Sequence, residues 1–186
     1  YPQGVPADIS TDGYTSLTDL LDRACKQYAS RTALTAMGSD ITYAQLDAHA
    51  RAFAGWLQSL GLPKGSRVAL MMPNVPAYLV AMLGTLRAGH AVVNVNPLYT
   101  ADELQRQLQD SGASVIVILE NFAHTLQSVS DRGALKHIVV TGPGDLLGGL
   151  KAPLVNLAAR YIKKLVPAWR IDGALMLPQV LAQGAR

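Results

Sequence analysis

The sequence predicts an α/β fold, a layered and mostly parallel sheet with flanking helices, and three observations carry that prediction. Four short aliphatic or β-branched runs, at 67–72, 91–95, 115–119 and 137–141, have the continuous apolar character of strands buried on both faces. Helical periodicities alternate with these runs, as parallel strands joined by crossovers require. Residues that start and stop helices stand at the joints between them.

Taken in chain order, the first helix starts around Ser16-Leu17-Thr18-Asp19, and a second starts at the capping box Thr42-Tyr43-Ala44-Gln45. In the second, Leu46, Ala50, Phe53, Leu57 and Leu60 recur at helical spacing and Gly61 stops the helix. Between the two, 33–37 and 41–43 around Gly38-Ser39-Asp40 read as a small hairpin. After the first buried strand, Asn74 is the predicted cap of a helix with Pro76 in its first turn. Leu79, Met82, Leu83 and Leu86 line its inner face, and Gly89 ends it. After the second strand, Thr100-Ala101-Asp102-Glu103 forms a capping box, Leu104 and Leu108 form the apolar stripe, and Gly112 terminates the helix. A shorter helix over 121–130 precedes the fourth strand. The chain therefore divides into an α/β portion, 1–141, and a segment, 142–186, that reads as a Gly-rich connector followed by an amphipathic basic stretch over 154–166.

Composition narrows the function classes. The chain has 186 residues, 49% of them hydrophobic, enough for one domain with a substantial core. Lys+Arg 16 against Asp+Glu 13 gives a formal charge of +3, too small an excess to indicate nucleic-acid binding. The excess is local: Lys151, Arg160, Lys163, Lys164 and Arg170 lie in a stretch without acids. A single cysteine, Cys25, and no zinc-like Cys/His spacing predict a reducing, cytoplasmic setting. No run approaches the roughly 18–20 apolar residues of a spanning helix. The opening Tyr1-Pro2-Gln3-Gly4-Val5-Pro6 has neither the basic nor the apolar region of a secretory leader, and both chain ends read as lying inside a longer sequence.

Certain motifs then point to a family. Ile41-Thr42-Tyr43-Ala44-Gln45-Leu46 resembles the first core motif of the adenylate-forming superfamily. The run from Leu86-Arg87-Ala88-Gly89 through Asn94-Val95-Asn96-Pro97 resembles its second. Arg67-Val68-Ala69-Leu70-Met71-Met72-Pro73-Asn74, Asn94-Val95-Asn96-Pro97-Leu98-Tyr99-Thr100 and Asp110-Ser111-Gly112-Ala113 resemble bacterial long-chain fatty-acid:CoA ligases in particular. The resemblance spans nearly the whole chain and implies about the first third of such a ligase, the N-terminal part of its layered fold. It implies a parent enzyme that uses ATP, Mg²⁺ and CoA to activate a fatty acid through an acyl-AMP. The rival readings are a medium-chain or aryl-acid ligase, and a non-catalytic α/β interaction module.

The family's Ser/Thr/Gly-rich phosphate loop has no counterpart in these 186 residues, nor have its later nucleotide-binding motifs. The sequence therefore assigns no catalytic, cofactor or metal residue, and the chain alone is expected to be inactive. Thr141-Gly142-Pro143-Gly144 through Lys151 lacks the Gly-Lys-Ser/Thr of a Walker loop and reads as a flexible connector. His49, His90, His124 and His137 are scattered, and Asp102 with Glu103 is explained by capping. Asn94, Asn96 and Pro97 end a strand where open α/β sheets place ligands, so they are the candidate channel wall, with turn chemistry as the simpler explanation.

On a helical wheel Arg160, Lys163 and Lys164 share one face, opposite Leu154, Ala158, Tyr161 and Leu165. That pattern suits contact with an anionic membrane surface, or packing on the rest of the enzyme. The expected partners are thus the remainder of a ligase, its fatty acid, ATP and CoA, a second copy through exposed apolar surface, and a membrane reached peripherally; nucleic acid is not among them.

Overall fold

The computed structural model describes residues 3–6, 8, 10 and 12–186. Tyr1 and Pro2, which open the segment read as no leader, lie outside the described residues. Helix α1 (Leu17–Gln27) starts at Ser16, whose hydroxyl accepts from the Asp19 N–H. Strands β1 (Thr32–Ala36) and β2 (Ser39–Thr42) form the antiparallel hairpin. The expected three-residue turn is shorter: Ala36 pairs with Ser39, and Met37 and Gly38 make a two-residue loop with φ of 48° and 69°. Two positive φ values match the twist of the flanking strands, which is why this loop replaces a longer one.

Helix α2 (Tyr43–Ser59) carries the reciprocal box of Thr42 and Gln45. Then follow β3 (Arg67–Met71), α3 (Pro76–Arg87), β4 (Ala91–Asn94), α4 (Ala101–Ser111) and β5 (Val115–Leu119). A 3₁₀ turn leads into α5 (Ala123–Gln127) and β6 (His137–Thr141). Helix α6 (Lys151–Leu157) continues as a π-helical turn (Ala158–Ile162), and β7 (Leu175–Met176) and α7 (Leu177–Gly184) close the described chain. Five strands pair in the order β4-β3-β5-β6-β7, all parallel.

Alternation along the strands divides the core into two layers. Val68, Leu70, Val115, Val117 and Val139 pack with Phe53, Leu57, Val80, Leu177 and Val180 of α2, α3 and α7. Ala69, Met71, Ile116, Ile118 and Val140 pack on the other face with Leu104, Leu108 and Leu126 of α4 and α5. Each fully buried Leu or Ile contributes roughly 1.5–3 kcal/mol by leaving water, so this sheet buried on both sides is the main source of stability.

Three sequence expectations are corrected. Asn74 does not cap α3: Val75 occupies the cap position without a side-chain bond, and Pro76 at the first turn needs no donor partner. Of the expected stripe on α3 only Leu83 is fully buried; Ala77, Val80, Ala81, Gly84 and Thr85 share its inner faces. The helix is wedged between α2 and the sheet, so small residues decide its contacts, and a Cβ at Gly84 would lie 2.7 Å from the Ala50 carbonyl oxygen. Finally, the segment 142–186, read as a connector plus an amphipathic stretch, also supplies β7 and α7. Two strand residues and an eight-residue helix are too short for a periodic signal, and α7 is held by docking on α2.

Candidate functional site

The parallel sheet places its carboxyl ends together, and the chain order reverses between β3 and β5, the position where open α/β sheets form a crevice. Around this edge the side chains fall into three groups.

The first lies beyond β4. Asn94 is exposed, and its Oδ1 accepts from the Tyr78 hydroxyl at 3.0 Å. Tyr78 also lines a cleft of about 250 Å³ with Leu34, Thr35, Ala36, Asn74, Val75, Pro76 and Leu79. Asn94 is thereby joined to a concavity, whereas Asn96 and Pro97 serve the turn. Asn96 Oδ1 accepts from the Leu98 N–H at 3.0 Å, which delivers the chain to Thr100 and its box with Glu103. Hydrogen bonds from the Thr100 backbone and hydroxyl hold the Glu103 carboxyl below the usual carboxylate range.

The second lies beyond β5 and β6. Glu120 follows the last residue of β5 and is 3% exposed; its Oε2 accepts from the Arg160 guanidinium at 2.6 Å. That bond raises the guanidinium pKa further. Beside it, the Asp145 carboxylate accepts from the Gly142 N–H at 2.8 Å, the Thr141 hydroxyl at 3.2 Å and the Asn156 amide at 2.7 Å. Asn156 Oδ1 in turn accepts from the Gly144 N–H at 2.7 Å. A Cβ on Gly142 or Gly144 would strike Asn156 or the Ala152 carbonyl, so both glycines are needed for α6 to sit this close. The segment expected to be a flexible connector is thus an ordered turn whose amides face a carboxylate and a side-chain amide of the protein itself, an arrangement unlike a phosphate cradle.

The third is the outer surface of the same segment. Helical structure runs over 151–162, ending before Lys163. Val155, Asn156 and Ala159 turn inward, while Leu150 (82% exposed), Leu154, Leu157, Tyr161, Ile162 (76%) and Leu165 stay in solvent with Lys163 and Lys164. The three cations grouped by sequence therefore separate: Arg160 is bonded to Glu120, and the two lysines are exposed. Two further bonds pin the segment, from Lys151 Nζ to the Gly38 carbonyl at 2.7 Å and from the Asn121 amide to the Leu165 carbonyl at 2.9 Å.

The histidines are not brought together, and no cluster of three or more His, Cys, Asp or Glu side chains among the described residues could hold a metal ion. His90 is buried with its Nδ1 unpartnered, and burial lowers its pKa. Arg87, in the second resembling motif, bonds to Asp22 of α1 and Asp47 of α2. Its role is to join helices. Sequence reasoning missed the Glu120–Arg160 and Asp145–Asn156 pairings, because 40 and 11 residues separate the partners and neither spacing is periodic.

The family model described as "AMP-binding enzyme" matches residues 21–160, three-quarters of the chain. The chain belongs to the AMP-binding enzyme family. Among family members, a protein named long-chain-fatty-acid--CoA ligase from Escherichia coli O157:H7 is 50% identical over 100% of this chain and 33% of its own length. Proteins of the same name from Haemophilus influenzae and Bacillus subtilis are 45% identical over 99% of the chain and 34% identical over 79% of it. The chain spans about a third of the length of the first two of these relatives. A benzoate CoA ligase from Burkholderia xenovorans superposes with a TM-score of 0.63 at 26% identity, covering 83% of this chain and 29% of that one. An anthranilate CoA ligase in complex with anthranoyl-AMP gives 0.69 at 21% identity over 89% and 27%. The five-stranded parallel layer with its flanking helices is thus a fold shared with these solved ligases.

Proposed function

We propose that this chain is part of an AMP-forming ligase that activates a long-chain fatty acid with ATP and passes the acyl group to CoA. The supporting observation is the extent of the likeness. The identity to long-chain-fatty-acid--CoA ligases runs over the entire chain, including the segment beyond residue 160 where the general family model stops. The aryl-acid reading has less support, since the benzoate and anthranilate ligases are only 26% and 21% identical.

In this reaction a carboxylate oxygen attacks the α-phosphorus of ATP, the α–β phosphoanhydride bond breaks and pyrophosphate leaves. The CoA thiolate then attacks the acyl-AMP carbonyl and AMP leaves. Both steps depend on positioning and charge neutralisation. The described residues do not form a group suited to Mg²⁺, so no step is assigned to metal held by this segment. Its contribution is the rigid sheet, with Asn94, joined to the cleft through Tyr78, as part of a channel wall. The nucleotide and CoA are held by residues outside 1–186. The partners that follow are the rest of the ligase, a second copy, and an anionic membrane approached peripherally from its cytoplasmic side.

The test is acyl-CoA formation by the full-length protein with oleate and with benzoate, each with ATP and CoA. A kcat/KM favouring oleate by at least about 10²-fold is expected, because each methylene lost from an apolar pocket costs about 1–3 kcal/mol. Preference for benzoate would transfer the reading to the aryl-acid ligases.

A further inference from the structure

The two-residue loop of the β1–β2 hairpin breaks a local rule. Both of its residues take positive φ, 48° at Met37 and 69° at Gly38. Asn followed by Gly is the favoured pair for such a loop, because Asn tolerates the left-handed region and a long side chain does so only under strain. Met37 therefore stands there at a cost to stability. Packing does not offset that cost: the side chain is 58% exposed and joins neither core cluster.

The other four methionines are placed differently. Met71 and Met72, at the end of β3, are 0% and 5% exposed, and the half-buried Met82 and Met176 pack against the two core layers. The main chain around Met37 is meanwhile held without help from its thioether. Ala36 pairs with Ser39, the Thr35 hydroxyl donates to Asp40 Oδ1 at 2.6 Å, and the Gly38 carbonyl accepts from Lys151 Nζ at 2.7 Å. A polar atom added to the Met37 sulfur would meet water, whereas one added to Met71 would be buried without a partner.

We infer that Met37 is a site of reversible oxidation by a hydroperoxide. The thioether sulfur attacks one peroxide oxygen and the O–O bond breaks. That oxygen stays on Sδ as the sulfoxide, and its proton passes to the other oxygen, which leaves as water or an alcohol. The sulfur is oxidised and the peroxide reduced. A methionine sulfoxide reductase supplied with a dithiol reverses the change, giving back the thioether with water and a disulfide. The hairpin tip thus carries the modification outside the core and leaves the fold intact.

The experiment treats the full-length protein, native or unfolded in urea, with hydrogen peroxide and follows tryptic peptides by mass spectrometry. Peptide 32–51 contains Met37 alone, and peptide 68–87 contains Met71, Met72 and Met82. In the native protein each sulfur of 68–87 should gain oxygen about tenfold more slowly than Met37, since local opening must precede attack on a sheltered group. Unfolding should bring the rates together. Reductases of both epimer specificities with dithiothreitol should return peptide 32–51 to its original mass. Met37→Asn should raise the urea midpoint, and peroxide should shift the midpoint of wild type no more than that of Met37→Leu.

Met37 oxidised no faster than the methionines of 68–87 would overturn the inference and indicate that the rest of the enzyme covers the loop. Sulfoxide that the reductases leave in place would overturn its reversibility. A lower midpoint in Met37→Asn, or a larger peroxide shift in wild type than in Met37→Leu, would show that the thioether supports the fold and would overturn its role as an outlying site.

Discussion

Glu120 is the residue whose environment demands most explanation. A carboxylate 3% exposed at the end of a parallel strand needs a charged partner, and Arg160 is the one it has. Removing the guanidinium strands that carboxylate, so Arg160→Gln should cost about 1–3 kcal/mol, and Glu120→Gln added to it should recover part of the loss. Urea unfolding of the two single variants and the double variant checks this; strictly additive losses would show that the pair is not coupled. His90 supplies a pH dependence. Burial lowers its pKa in the folded chain, so the unfolded chain binds the proton more readily. Its contribution is fully present above the ordinary imidazole pKa near 6.5 and is lost as pH falls through the folded value. Thermal unfolding should therefore lose midpoint between pH 7.5 and 5, and His90→Gln should lessen that slope. Neither residue's burial was legible in the sequence, because a lone acid and a lone histidine carry no periodicity and their environments are set by segments distant in the chain.

At the scale of elements, local chemistry was the better guide. The boxes at Thr42 and Thr100, the stop at Gly112 and strands β5 and β6 all stand where the sequence places them, since each is specified by residues within a turn of one another. Thr100→Ala should accordingly destabilise the protein by about 1 kcal/mol, measured by the same unfolding, while Asn74→Ala should change little because Asn74 caps nothing. Elements specified by packing were harder to read. The faces of α3 depend on α2 lying against Gly84, and the joint of α2 with α7 depends on Gly55 and Gly184 meeting backbone to backbone. A bulky side chain at Gly184 should disrupt that joint by several kcal/mol, as overpacking at a backbone contact leaves nowhere to relax.

For the whole molecule, the fold class and its family followed from strand and helix alternation and from the motifs around Thr42 and Arg87, while the arrangement of the candidate site did not. The structure joins Asn94 to a cleft through Tyr78, divides Arg160 from its neighbouring lysines, and orders the glycines at 142 and 144 around Asn156. Each of these is a long-range contact that spacing cannot express. At this scale we propose that a longer enzyme containing this sheet forms an acyl-AMP from a long-chain fatty acid. The most direct measurement is exchange of labelled pyrophosphate into ATP by the full-length protein with oleate and without CoA. Exchange that requires oleate is the predicted result; exchange that is absent, or indifferent to the fatty acid, would contradict the claim.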